Sequence, residues 1–295
     1  MQYYSLQEYL FGGQKKEVKW LSILDVNLDI EIKSLLYPIL SYRNMKGLIS
    51  FPSGWCKGIV AYYLQIHVPK NVMHRTIYPC GSTALSIGCN HNNPEALFFG
   101  ITTFPYDINF PMSEGDYFVV VFWPWMGNTF FPIPPSELVN RNIPLDEILP
   151  KQSERIKERL LFSKTFQERI YVFEKFLEGR TVLLERIPDR FLSLIEAIHH
   201  NSDYFRNVKL ARCICYSDRN IRRLFRKYIG VSPKLYASVV RHQKTLRALN
   251  LNPRQDLAGL AFEQGYYDQS HFIKEFKRFQ GLTPVQFISK SIRIR

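Results

Sequence analysis

The sequence predicts an α+β protein: a mainly-β N-terminal barrel or sandwich, a helical connector, and an all-α C-terminal domain made of two copies of one helical unit. Three observations predict it. Residues 1–150 hold 13 of the 17 prolines and 10 of the 15 glycines, with short β-branched and aromatic runs between them, the texture of strands and turns. From Ser136 onward Pro and Gly become rare and apolar residues recur at helical spacing. Within the last third, one stretch of sequence echoes another 51 residues later. The predicted divisions are 1–135, a β-rich unit; 136–190, the connector; and 191–295, the repeated helical domain.

The strands are placed by the breakers that bound them. Gly58–His67, Ala96–Phe104 and Tyr117–Trp123 each lie between Pro, Gly or Asn residues, and several such strands close together suit a small barrel or sandwich. In the connector, Phe166, Ile170, Phe173 and Leu177 form an apolar stripe, with Gly179 where a helix would stop. That stripe serves equally well for packing on its own domain or for dimerisation.

At 295 residues and 46% apolar content the chain can bury a core for each of two domains. The longest apolar run, Tyr117–Met126, is broken by Pro124 and is only about half of the ~20 residues a spanning helix needs. No membrane association or secretion signal is expected. Five cysteines, Cys56, Cys80, Cys89, Cys213 and Cys215, are an odd number in a chain too large to depend on disulfides, which points to a reducing cytoplasm.

The net charge of +13 is localised. Residues 191–295 carry 19 Lys and Arg against 7 Asp and Glu, leaving 20 against 19 for residues 1–190. A basic excess confined to one module is what a polyanion-binding surface needs, because each cation set near a phosphate releases a condensed counterion. A solvated basic face is the competing reading of charge alone.

The echo decides between them. Leu224-Phe225-Arg226-Lys227-Tyr228-Ile229-Gly230-Val231-Ser232-Pro233 is matched by Glu275-Phe276-Lys277-Arg278-Phe279-Gln280-Gly281-Leu282-Thr283-Pro284. Upstream, Leu210-Ala211 precedes Ser217 much as Leu260-Ala261 precedes Asp268. Two copies are too few for a solenoid and read as a duplicated helix-turn-helix. Ser217 and Asp268 are N-cap residues that mark helix starts. Gly230 and Gly281 supply left-handed caps, and Pro233 and Pro284 suit the first turn of the next helix.

The helices so delimited, 218–228 and 269–279, are two-faced. In the first, Ile221, Leu224, Phe225 and Tyr228 share one side while Arg219, Arg222, Arg223 and Arg226 share another at helical spacing. Like charges on one stripe repel by a few tenths of a kcal/mol per pair, so the stripe makes sense facing an anion. The second helix buries Phe272, Phe276 and Phe279 and presents Ser270, Lys274 and Lys277. Between the copies, Pro233 to about Leu251 reads as one helix of ~18 residues, ~27 Å long at ~1.5 Å each. A rod of that length can hold two recognition helices roughly one duplex turn, ~34 Å, apart.

The region from Ile195 to Phe287 resembles the DNA-binding domain of the AraC/XylS family. The residues that carry the resemblance are Leu210, Ser217, Phe225, Gly230-Val231-Ser232-Pro233, Tyr236 and Arg241, then Ala261, Gly265-Tyr266, Asp268-Gln269-Ser270-His271-Phe272, Phe276-Lys277, Gly281 and Thr283-Pro284. The resemblance implies a transcription regulator whose base-reading positions fall on Arg219, Arg222 and Arg223, and on Ser270 and Lys274 with His271 beside them. An arginine that pairs bidentately with guanine contributes ~1–3 kcal/mol of discrimination; Arg226 and Lys277 suit phosphate. Double-stranded DNA and RNA polymerase are the implied partners. Two departures stand out: Cys215 occupies a turn position usually held by glycine, and His242 replaces the usual leucine after Arg241.

The N-terminal part resembles uncharacterised sensor domains that accompany this DNA-binding domain, on the segments Tyr78-Pro79-Cys80-Gly81, Val121-Phe122-Trp123-Pro124, Pro135-Ser136-Glu137-Leu138 and Ile143-Pro144-Leu145-Asp146. That implies a small-molecule effector or a homodimer contact. Trp55, Tyr62, Tyr78, Phe104, Trp123 and Trp125 are candidates to line a pocket, although alternate aromatic positions in strands are more often plain core. No metal site is expected: His67, His74 and His91 are isolated, and Cys213 and Cys215 point to different faces of a helix. No nucleophile motif or phosphate-cradling loop is present, so neither catalysis nor a cofactor is expected. The competing functions are an enzymatic or small-molecule-binding barrel with an accessory nucleic-acid-binding region, and a non-specific architectural DNA binder, which would show steep salt dependence without a specificity ratio.

Overall fold

The computed structural model describes residues 20–22, 46–68, 75–89, 95–108, 114–126, 131, 133–180, 187–200 and 216–293. Nine strands belong to the described N-terminal half: β1 (Trp20–Ser22), β2 (Lys46–Ser50), β3 (Val60–Val68), β4 (Arg75–Ile77), β5 (Thr83–Gly88), β6 (Ala96–Phe99), β7 (Tyr106–Ile108), β8 (Gly115–Phe122) and β9 (Asn142–Pro144). Seven form one antiparallel sheet in the order β1-β2-β3-β8-β5-β6-β9, and β4 pairs with β7 in a separate ribbon.

The centre of the sheet is where the sequence is richest in β-branched and aromatic residues. β3 and β8 pair in the register Tyr63↔Val120 and Gln65↔Phe118, and β5 flanks them with Leu85↔Val120 and Ile87↔Phe118. Both faces of this centre are buried: Tyr63, Phe118 and Phe122 on one side, Tyr62, Leu64 and Val121 on the other. The run predicted as Ala96–Phe104 leaves the ladder after Phe99. At Gly100 the backbone of Leu138 lies so close that a Cβ would sit 1.8 Å from its carbonyl oxygen. Thr102 then bridges to Cys80 instead.

Four helices follow β8: α1 (Pro135–Leu138), which precedes β9, then α2 (Leu145–Ile148), α3 (Pro150–Phe162) and α4 (Phe166–Glu178). Thr165 and Glu168 close a reciprocal capping box at the start of α4, satisfying two otherwise orphaned donors. The predicted stripe Phe166, Ile170, Phe173 and Leu177 is buried and lies on the protein's own sheet. The Phe166 and Phe173 rings meet Phe118 edge-on, at 6.1 and 5.9 Å between centroids. Gly179 ends the helix at φ −66°, so it stops the helix without the left-handed turn that a glycine there suggests.

The C-terminal half is helical: α5 (Asp189–His200), α6 (Asp218–Tyr228), α7 (Pro233–Leu251), α8 (Leu257–Glu263), α9 (Gln269–Gln280) and α10 (Pro284–Arg293). The upstream part of the first copy, including Leu210, Ala211, Cys213 and Cys215, lies outside the described residues, as do His74 and His91. The helix predicted from Pro233 to about Leu251 is continuous over those bounds.

The two copies bury their apolar faces differently. Phe225, Tyr228 and Tyr236 belong to a hydrophobic cluster that runs without a break from the sheet through Phe173 and Phe191. Phe272 and Phe276 pack with Leu246, Leu249, Tyr266 and Phe287 in a separate cluster. The first copy shares its core with the sheet; the second has its own. Among the described residues no helix is long and apolar enough to cross a membrane.

Candidate nucleic-acid interface

Local sequence builds α6 and α9 in the same way. Ser217 Oγ accepts from the Asn220 backbone N–H at 3.3 Å, and Asp268 Oδ1 accepts from the His271 N–H at 2.7 Å. Each cap satisfies one of the donors a helix start leaves unpaired. Gly230 and Gly281 adopt φ of +89° and +73°, and Pro233 and Pro284 open α7 and α10.

Burial then sorts each helix into two faces. In α6, Ile221, Leu224, Phe225 and Tyr228 are buried while Arg219, Arg222, Arg223, Arg226 and Lys227 are exposed. In α9, Phe272, Phe276 and Phe279 are buried while Ser270, Lys274, Lys277 and Arg278 are exposed. Every arginine and lysine singled out from the sequence thus lies at the surface, beside an apolar face that anchors its helix. Arg223 is held in place: its Nε and Nη2 donate to Asn220 Oδ1 at 3.2 and 2.9 Å. His271 is half-buried and turned back on its own helix start, where Nδ1 accepts from the Tyr267 N–H at 3.2 Å and Nε2 lies 3.6 Å from Glu275 Oε2.

Some contributors were not singled out from sequence. Lys227 and Arg278 extend the cationic surfaces, and each lies over the ring next to it, Tyr228 at 5.1 Å and Phe279 at 5.4 Å. Their signal was present in the helical periodicity, one residue beyond the stripes considered. Asn220 had no such signal, since its role depends on the Arg223 guanidinium that stands beside it.

The second copy is fastened to the rod α7 by Arg241. Its Nη2 donates to Glu275 Oε1 at 2.6 Å, its Nε to the same oxygen at 3.1 Å, and its Nη1 to the Gly265 carbonyl at 3.3 Å. The guanidinium also lies over the Tyr266 ring, 4.6 Å from the centroid. One residue on, His242 is fully buried between Phe276 and Phe279, with centroid distances of 5.2 and 5.1 Å. Its Nε2 meets Gln280 Oε1 at 3.3 Å. Burial drives its pKa down to about 3, so the ring is neutral and serves where a leucine would.

The first copy is fastened to the sheet. A Cβ on Gly230 would lie 2.5 Å from the Pro135 carbonyl oxygen, so α1 abuts the turn that ends α6. The Cys80-Gly81 segment rests on α7: a Cβ on Gly81 would meet Tyr236 Cε2 at 3.4 Å, Gln243 Oε1 at 3.6 Å and Val240 Cγ2 at 3.8 Å. Tyr236 is fully buried and its hydroxyl pairs with His199 Nε2 at 2.9 Å; burial pushes its pKa well above the ordinary phenol value. Among the described residues the buried Gln243 amide and Ser82 Oγ have no hydrogen-bond partner other than the Cys80 thiol beside them. Of the candidate pocket aromatics, Tyr62 is core, Trp55 and Phe104 are 41% and 49% exposed, and Trp123 stacks on Trp125 at 5.6 Å.

Two capped, two-faced helices joined by a continuous rod define a duplicated helix-turn-helix module, a class whose exposed helix faces enter the major groove of DNA. Residues 210–290 match the family described as "Helix-turn-helix domain". Residues 52–144 match a second family, "Domain of unknown function (DUF6597)". An uncharacterized HTH-type transcriptional regulator of Haemophilus influenzae is 28% identical over 123 residues, 40% of this chain and 41% of that protein. The match therefore spans less than half of the relative's length. Among solved structures, ToxT from Vibrio cholerae aligns with 83% of this chain and 97% of its own at 10% identity and a TM-score of 0.38. A ToxT structure with bound unsaturated fatty acid aligns with 83% and 93% at 12% identity and a TM-score of 0.34.

Proposed function

We propose that the protein is a non-enzymatic, sequence-specific regulator of transcription that sets α6 and α9 in successive major grooves of double-stranded DNA. The observation that carries this is the pairing of two exposed, differently surfaced cationic helix faces on one rod. In this reading Arg219, Arg222, Arg223, Ser270 and Lys274 read bases, Arg226 and Lys277 hold phosphates, and His271 braces the start of α9. Residues 191–295 act as the DNA-binding domain, residues 1–135 as a sensor for a small effector or a dimerisation unit, and 136–190 as the connector. RNA polymerase is the onward partner, and the cytoplasm the place of action.

The contact of the sheet with α6 and α7 supports a coupling between the halves, since a displacement of α1 or of Cys80-Gly81 is felt at Gly230 or Gln243. The test is footprinting on DNA selected by the full chain. Arg223→Ala and Lys274→Ala each lower the specificity ratio by about 5- to 150-fold, the equivalent of ~1–3 kcal/mol, without changing helical content. A footprint as strong and as selective as the parent's from either variant overturns the assignment of reading residues.

A further inference from the structure

Where the sheet meets α4, one buried cation forms no ion pair among the described residues. Arg169 is only 8% exposed. Its Nη1 donates to Gln65 Oε1 at 2.5 Å, and its Nε is buried without any hydrogen-bond partner. Among the described residues the guanidinium forms no ion pair and has no other hydrogen bond. Gln65 is oriented by its neighbours: its Nε2 donates to Asp116 Oδ2 at 3.4 Å, so its carbonyl must face Arg169. The Asp116 carboxylate, across Gln65, is engaged by His67 Nδ1 at 2.9 Å.

A buried charge without a partner is costly, and the guanidinium has a fork of donors that matches a carboxylate bidentately. Gln65 occupies Nη1, which leaves the Nε and Nη2 edge, the one that presents two parallel N–H groups. The surroundings suit an organic anion better than a hydrated one. Phe166 and Ile170, three residues before and one after Arg169 on α4, are buried, as are Phe118 and Ile87 on the adjoining strands. Cys89, close enough to Arg169 for the guanidinium to stabilise its thiolate, is held against ionisation chiefly by burial.

We propose that Arg169 heads a binding site for a small organic carboxylate at this end of the sheet, the carboxylate taking the Nε and Nη2 edge that Gln65 leaves open. The binding stands on the geometry alone; that it makes the sheet half a sensor rests on the regulator reading above. Asp116 does not oppose it directly, since its oxygens face His67 and Gln65.

The test is thermal unfolding of the full chain in acetate, propionate or benzoate against sodium chloride of equal ionic strength. A saturable rise of several degrees with at least one carboxylate is expected, absent with chloride and smaller with inorganic phosphate. Arg169→Met loses that rise and, without carboxylate, unfolds no lower than the parent, because it removes an uncompensated buried charge. Should Arg169→Met not fold, Arg169→Lys keeps the charge but not the fork, and its half-saturating carboxylate concentration rises at least tenfold. The proposal is overturned if no carboxylate acts beyond chloride, if phosphate acts as strongly, or if the substituted protein responds as the parent does. Footprinting on the same preparations separates this from the regulator reading: a carboxylate response without sequence-specific binding sinks only the latter, and the reverse result only the former.

Discussion

Substituting alanine at Gly230 and, separately, at Gly281 measures how tightly the sheet half grips the first helix-turn-helix copy. The two glycines close equivalent helices and both are left-handed, at φ +89° and +73°. Forcing an L side chain into that region costs ~1–2 kcal/mol at either site. At Gly281 nothing lies within 4 Å of the added methyl, so the conformational cost is the whole cost. At Gly230 the methyl meets the Pro135 carbonyl oxygen at 2.5 Å, its carbon at 2.6 Å and the Ser136 nitrogen at 2.9 Å. These are backbone atoms of α1, itself pinned on its other side where Leu138 abuts Gly100, so relief requires moving a helix rather than a side chain. Overpacking of that kind adds ~1–3 kcal/mol. Gly230→Ala is therefore less stable than Gly281→Ala by that amount, roughly 2–12 °C in the midpoint followed by helical circular dichroism. Equal losses in the two variants refute the close contact between α1 and the end of α6.

Two further predictions concern the second copy. His242 takes up a proton near pH 6.5 when unfolded but only near pH 3 when folded; the unfolded state binds more protons in between, so stability falls on acidification through that window at up to ~1.4 kcal/mol per pH unit. Between pH 7.5 and pH 5 the parent loses ~2 kcal/mol more than His242→Leu in urea unfolding, and identical losses would show that the ring is not buried neutral. Glu275→Ala leaves the Arg241 guanidinium, 13% exposed in its side chain, without its carboxylate. Breaking a largely buried pair from one side costs ~3–5 kcal/mol; hydrogen exchange accelerates in α9 and α10 and not in the sheet, and an unchanged exchange pattern there shows that the pair does not fasten the copy to α7.

Much of the helical half was legible because its signals are local. A cap such as Ser217, a left-handed glycine such as Gly281 and an apolar stripe such as Phe272, Phe276 and Phe279 act within a few residues of one chain segment, so their spacing alone dates the start, stop and buried face of each helix. The mainly-β character of the first half was legible from its prolines and glycines. Its topology was not, because Tyr63 meets Val120 only after a long loop closes, and no local pattern encodes which run pairs with which. The strand beginning at Ala96 came out shorter than its apolar run suggests, since the packing of Leu138 on Gly100 takes over from the ladder.

The sequence by itself determined where the positive charge lies, that the helical unit is duplicated, and which faces of α6 and α9 can be buried. All three are properties of composition and of periodicity along one segment. Only the tertiary structure decided that the first copy shares its core with the sheet while the second keeps its own, that His242 is a neutral core residue and Arg241 a clasp on Glu275, and that Arg169 lies buried beside Gln65 without an ion pair among the described residues. Those outcomes depend on residues brought together across tens or more than a hundred positions, where burial and partner geometry, rather than residue type, set what a side chain does.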